Sequence, residues 1–132
     1  MALSEGEIPQ DVRRFLTKYI RSLEQLEVLL LVSALPDRDW TADSVFQVVQ
    51  TNRALVQERL DEFVRHGLMV SQVAGAYRYA PKSEALAHDI VATAGFYKLS
   101  RHKVVELIYA PPPEDIRKFS DAFRFKKGDA NG

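Results

Sequence analysis

The stretch that decides the fold is TNRALVQERLDEFVRHGLMVSQVAGAYRYAP, residues 51–81. Its first half predicts an amphipathic helix, because apolar residues recur at helical spacing: Val56, Leu60, Phe63 and Val64. Charged residues occupy the other side of that helix: Glu58, Asp61, Glu62 and Arg65. Thr51 or Asn52 is suited to cap its start, and His66 with Gly67 to end it.

The second half of this stretch predicts a β-hairpin. Residues 68–73, LMVSQV, and residues 77–79, YRY, have strand composition, and Ala74 and Gly75 between them are turn residues. A helix that ends at a glycine is therefore followed directly by two short antiparallel strands.

Three helices are predicted before this stretch. Pro9 opens a helix over residues 9–21, and the capping-box spacing of Ser22 and Gln25 begins a second. Thr41 is suited to cap another helix that extends to about residue 49. The buried side of that helix is predicted to comprise Val45, Val48 and Val49.

This order resembles the winged helix-turn-helix domain of bacterial MarR-like transcriptional regulators. The resemblance covers about residues 25–81, with residues 22–82 as the core, in which the helix at 51–65 corresponds to the recognition helix and the hairpin to the wing. The predicted fold class is mainly α with a small β-hairpin, a winged-helix core with an added N-terminal helix and a long C-terminal helix. The resemblance implies DNA-contacting residues at Thr51, Asn52, Arg53, Gln57, Arg78 and Lys82.

A single long helix is predicted from Ser83 to about residue 109, on the order of 40 Å in length. Gly95 marks a possible bend in it. It has more apolar positions than a small core can cover, which indicates a homodimer built on this helix. The predicted dimer interface comprises Leu86, Ile90, Tyr97, Val104 and Ile108.

A short terminal helix is predicted after the prolines at 111–113, so that the long and terminal helices together span residues 83–127. Three aromatic residues of this tail are candidates for contact with a protein partner: Phe119, Phe123 and Phe125.

Composition excludes several classes of function. The chain has 132 residues, enough for one domain (1–132), and no cysteine, so disulfides, thiolate catalysis and cysteine metal sites are ruled out. His88 and His102 would lie about 21 Å apart along one helix and cannot share a metal ion. We expect no enzyme activity, no metal or other cofactor, no membrane span and a cytoplasmic location.

Charge leaves the class of partner open. The chain is neutral overall, with five basic and eight acidic residues in 1–50 (net −3) and three of each in 51–75 (net 0). Residues 76–113 have five basic and three acidic residues (net +2), and residues 114–132 five and four (net +1). Nucleic-acid binders usually carry a clearer positive excess. The leading hypothesis is a homodimeric DNA-binding regulator, and the alternatives are a winged-helix adaptor that binds protein and a regulator that responds to a small molecule.

Overall fold

A computed structural model of the protein describes residues 7–110, which form six helices and a three-stranded sheet. The helices are α1 (Gln10–Tyr19), α2 (Leu23–Ala34), α3 (Ala42–Phe46), α4 (Arg53–Arg65), α5 (Glu84–Leu99) and α6 (Arg101–Tyr109). The strands are β1 (Asp39–Trp40), β2 (Met69–Val73) and β3 (Ala76–Tyr79), and the sheet is antiparallel in the order β1-β3-β2. The order α2-β1-α3-α4-β2-β3 is that of a winged helix, which confirms the predicted fold class.

Side-chain caps fix where the helices begin. The backbone N–H of Leu55 donates to Asn52 at 3.1 Å, so Asn52, and not Thr51, caps α4. Ser83 caps α5, and Thr41 and Ser44 cap α3 reciprocally. These caps replace intrahelical partners that the first turn of a helix lacks.

The start of α2 departs from the predicted capping box in one respect. Ser22 accepts a hydrogen bond from the Gln25 backbone as expected, but the Gln25 side chain accepts from the Arg21 backbone at 2.7 Å. The buried Gln25 amide then donates to Glu62 at 2.9 Å. Gln25 therefore ties α2 to α4, because an unpaired amide would be costly at this depth.

Two glycines make the turns around the hairpin. Gly67 ends α4 with φ +78°, and Gly75 lies between β2 and β3 with φ +82°, both in the left-handed region that favours glycine. β1 was not predicted, since Asp39 and Trp40 look like part of a connection. Trp40 pairs with Tyr77 of β3 and is completely buried, which makes it part of the core.

The core lies where α4 and the sheet pack against α2, with α1 and α5 covering another side. Its largest fully buried side chains are Trp40, Phe15, Phe63, Leu16, Leu26, Leu29, Leu60, Leu68, Met69 and Ile90. Each such burial stabilises the fold by about 1.5–3 kcal/mol before the loss of conformational entropy is counted.

The helix that Thr41 caps is shorter than predicted. α3 ends at Phe46, and the N–H groups of Val48 and Val49 both donate to the carbonyl of Val45 as the chain turns towards α4. Val48 is consequently 59% exposed, so its predicted place on the buried side is wrong, while Val45 is buried as expected.

The predicted long helix is two helices. The chain is helical through Gly95 and breaks instead at Ser100, whose φ and ψ are −142° and 63°. The break turns α6 back towards α1, where Val104 is completely buried. At the end of α6, the Tyr109 hydroxyl accepts a hydrogen bond from the Leu23 backbone at 2.9 Å. Packing of α6 against α1 therefore outweighs the preference of residues 83–109 to form one continuous helix.

This geometry changes the predicted dimer interface. Leu86, Ile90 and Val104 are buried in the chain's own core, and Tyr97 and Ile108 are half-buried against it. The three buried residues have almost no surface left for a second subunit, so the single chain's own packing does not support their assignment to a dimer interface, which stays a prediction. The predicted terminal helix and its residues Phe119, Phe123 and Phe125 lie outside the described residues.

Candidate nucleic-acid interface

The first turn of α4 is the most accessible part of the predicted recognition helix. Thr51, Asn52, Arg53 and Ala54 are all exposed, and the first turn contains no acidic residue. Asn52 is engaged in capping, as described above, which leaves its amide nitrogen as the group free to face outwards. Thr51, Asn52 and Arg53 therefore form a small polar surface at the end of α4.

Arg53 is paired across the helix-turn-helix. Its guanidinium contacts the carboxylate of Asp43 in the first turn of α3. The hydrogen bond and the charge of Arg53 lower the pKa of Asp43, and the same contacts raise the pKa of Arg53. Both side chains are more than half exposed, so the pair exchanges readily with water or another anion.

Gln57 is one turn further along α4 and is connected to the wing. Its amide donates to the Tyr77 hydroxyl at 2.5 Å, and that hydroxyl donates to Asp61 at 2.5 Å. Burial, and secondarily the hydrogen bond to Asp61, raise the pKa of Tyr77. A base-reading role for Gln57 would require this connection to open or to hold the amide in a fixed orientation. Tyr77 and Asp61 were not predicted as part of the interface, since nothing in the sequence shows that β3 directs Tyr77 towards α4.

The wing contributes one cation, Arg78, which is also paired. Arg78 and Asp39 occupy opposite positions on β3 and β1, and their side chains are joined at 2.8 Å. They line a shallow cavity of about 200 Å³ on the wing together with Val70, Gln72, Val73 and Ala76. The wing surface is therefore close to neutral.

Lys82 is separated from the other predicted contacts. It follows the hairpin, and its backbone N–H donates to the carbonyl of Gly67 at 2.8 Å, just past the C-terminal end of α4. Its side chain lines a cleft with Lys18 of α1. Of the six predicted DNA-contacting residues, Thr51 and Asn52 lie just before α4, and Arg53 and Gln57 lie in its first two turns. Arg78 lies on the wing, and Lys82 lies at the other end of α4.

Apolar side chains are exposed beside these polar groups. Val48 and Leu55 are exposed near the start of α4, and Val70 and Val73 are exposed on the wing. The surface of α4 and the wing therefore combines two exchangeable ion pairs with scattered apolar groups, and has no dense field of positive charge.

The described part of the chain has neither a metal-binding cluster nor a helix that could cross a membrane. Among residues 7–110, no three histidine or acidic side chains converge in a way that would hold a metal ion. No helix in the same residues is long and apolar enough to cross a membrane.

Comparison with known proteins yields a structural likeness. No family model and no curated protein matches the sequence. Among solved structures, the chain is similar to the apo (heme-free) form of PefR, with a TM-score of 0.48 and 13% sequence identity over 89% of this chain and 88% of that one. At this level the likeness carries no argument about function, which has to be inferred from the geometry above.

Proposed function

We propose that the protein is a winged-helix transcriptional regulator that binds DNA as a homodimer. The observation that supports this proposal most is the exposed first turn of α4, which contains no acidic residue of its own. Asn, Gln and Arg are the side chains best suited to read base edges in the major groove. In this arrangement Arg53 and Gln57 approach bases, and Arg78 meets the phosphate backbone.

The ion pairs on this face are compatible with DNA binding because they are weak. Asp39 and Asp43 are at least 64% exposed, and exposed pairs of this kind contribute little to stability. A phosphate group can therefore replace either carboxylate as the partner of the arginine. The displaced carboxylate then lies near DNA, which lowers the affinity but leaves the geometry of the arginine intact.

A second subunit is proposed to pack on the outer face of α5 and α6. Val91 and Leu99 on α5 and Tyr109 on α6 are strongly exposed, and Leu99 is the most exposed of the large apolar residues described, at 85%. These residues replace the buried ones of the original prediction as the surface for dimerisation.

Fluorescence anisotropy with mixed-sequence duplexes at low and moderate salt tests DNA binding. Asp43→Asn should tighten binding and steepen the dependence of log affinity on log salt concentration by about one, because Arg53 is released to a phosphate. Glu84→Gln, an equal charge change at the exposed start of α5, is the matched control and should alter neither quantity. Absence of any binding at low salt, where even non-specific contact is strongest, would refute the proposal.

An adaptor that binds protein is the second candidate, because the arginines of this face are already paired and four apolar residues near them are exposed. In that case Asp43→Asn has no effect on DNA binding, and Val73→Ser or Leu55→Ser weakens the complex with the protein partner. Arg53→Ala distinguishes the two functions, since it should impair DNA binding far more than protein binding.

A further inference from the structure

A cleft between α1 and the start of α5 brings together positive charges that have no close carboxylate partner. The cleft has a volume of about 280 Å³. Its lining comprises Arg14, Phe15, Lys18, Tyr19, Lys82, Ser83, Leu86 and Asp89. Three of these residues are cations and one is an anion, which gives the lining a net charge of 3 − 1 = +2.

Most of this charge has no carboxylate partner. Asp89 approaches Arg14 at 3.9 Å, the outer limit for an ion pair, and reaches neither lysine. Within residues 7–110, Lys18 and Lys82 form no ion pair, and the ammonium of Lys18 lies 5.3 Å from the ring centre of Tyr19. This differs from the α4 and wing surface, where Arg53 and Arg78 are each neutralised.

Gly67 restricts the position of Lys82, the third cation of the cleft. Lys82 Cδ lies so close to Gly67 that a Cβ at residue 67 would clash with it, so the lysine stem passes directly over the glycine. The hydrogen bond from the Lys82 backbone to the Gly67 carbonyl fixes the start of that stem. A lysine side chain is otherwise free to sweep through solvent, and this packing restricts Lys82 to the side of α1.

The walls of the cleft limit what fits. Phe15 and Leu86 are buried and form an apolar floor, while Tyr19 is half-buried at the side and Ser83 lies at the edge. A compact ligand with concentrated negative charge satisfies two unpaired ammonium groups better than an extended polymer would.

We propose that this cleft binds a small soluble molecule through a phosphomonoester or pyrophosphate group. Lys18 and Lys82 donate to the phosphoryl oxygens from opposite sides, and Arg14 exchanges its distant contact with Asp89 for a charge-assisted hydrogen bond. The cleft is at the far end of α4 from the proposed base-reading turn, so the ligand and DNA occupy different surfaces. The inference concerns the protein alone and does not depend on DNA binding.

The test is a titration of the full chain with pyrophosphate at constant ionic strength, followed by amide NMR and calorimetry. Saturable shifts are expected at Tyr19, Lys82 and Ser83. Dimethyl phosphate, a singly charged phosphodiester, should bind at least tenfold more weakly, because pyrophosphate has more negative charge and more terminal oxygens with which the two ammonium groups can form charge-assisted hydrogen bonds.

Three variants make the test specific. Lys82→Ala should weaken pyrophosphate binding about tenfold, whereas Lys98→Ala, the loss of an exposed lysine at the other end of α5, should leave it unchanged. Asp89→Asn should tighten binding, since it removes the only carboxylate among the described residues that line the cleft.

Several results would overturn the assignment. One is the absence of saturable binding up to about 10 mM pyrophosphate, and another is equal affinity for pyrophosphate and dimethyl phosphate. The others are an equal loss of pyrophosphate affinity in Lys82→Ala and Lys98→Ala, and weaker binding of pyrophosphate by Asp89→Asn. Circular dichroism of each variant verifies that the fold is retained, which is expected because Lys82 and Lys98 are both exposed.

Discussion

Val104 and Leu99 provide a direct test of how α6 is held. The two residues are five positions apart on either side of the Ser100 break, and one is completely buried while the other is 85% exposed. Val104→Ala removes two carbon groups from the core, which is worth about 1.6 kcal/mol at 0.8 kcal/mol for each buried group. Incomplete collapse of the resulting cavity adds to this loss, so we expect a decrease in the free energy of unfolding of about 2–3 kcal/mol.

Leu99→Ala is the matched comparison, because it removes more carbon from a site that faces solvent. Its effect on the stability of the monomer should stay within about 0.5 kcal/mol. Urea unfolding followed by circular dichroism measures both variants, and the measurement should be repeated over a hundredfold range of protein concentration. If Leu99 lies in a dimer interface, the effect of Leu99→Ala should depend on concentration and that of Val104→Ala should not.

The reasoning would fail in either of two ways. A loss below about 0.5 kcal/mol for Val104→Ala would show that α6 is not anchored in the core. A loss that disappears at high protein concentration would return Val104 to the dimer interface, where the helical pattern alone had placed it.

Three further predictions concern the turn after α4, the wing and the response to pH. Gly67→Ala should lower the free energy of unfolding by at least about 1–2 kcal/mol in urea titration, because alanine is strained at positive φ, and it should also displace Lys82. Tyr77→Phe should cost about 1 kcal/mol through the loss of its two hydrogen bonds, and hydrogen exchange should become faster in β3, while Tyr19→Phe serves as a control outside the wing. Burial raises the pKa of Tyr79 to about 12, so the folded state keeps a proton that the unfolded state loses near pH 10. The free energy of unfolding should therefore fall as the pH rises from 10 to 12. Tyr79→Phe should remove this part of the fall in alkaline unfolding curves.

The sequence predicted the elements whose local signals agree with their packing. α4 has a capping asparagine, a stripe of apolar residues and a terminal glycine, and all three are used as expected. The caps at Ser22, Thr41 and Ser83 were also predictable, because a capping side chain acts within its own turn.

The features that were missed depend on contacts between distant segments. Ser100 is neither glycine nor proline, and only the return of Val104 to α1 explains why the helix breaks there and not at Gly95. β1 has only two residues and forms because it pairs with β3, and no local sequence pattern predicts that pairing.

The candidate interface was predicted only in part, because charge counted along the chain does not show which charges meet. The balanced composition predicted a nearly neutral face but not the pairs Asp43–Arg53 and Asp39–Arg78, in which the partners are 10 and 39 residues apart. Lys82 was assigned to the DNA face by its position after the wing. Its side chain instead crosses Gly67 towards α1, as only the three-dimensional arrangement could show.

The hydrogen bonds among Gln57, Tyr77 and Asp61 have a consequence for protein engineering. Specificity is commonly transferred between related domains by exchanging the outward positions of one helix. Here that exchange would leave the Tyr77 hydroxyl without its amide donor, and a bulky replacement at position 57 would press against the wing. The smallest unit that can be transplanted into or out of this protein without loss of fit is therefore α4 together with β3, so a chimera designed on the helix alone should bind less well than one that carries both.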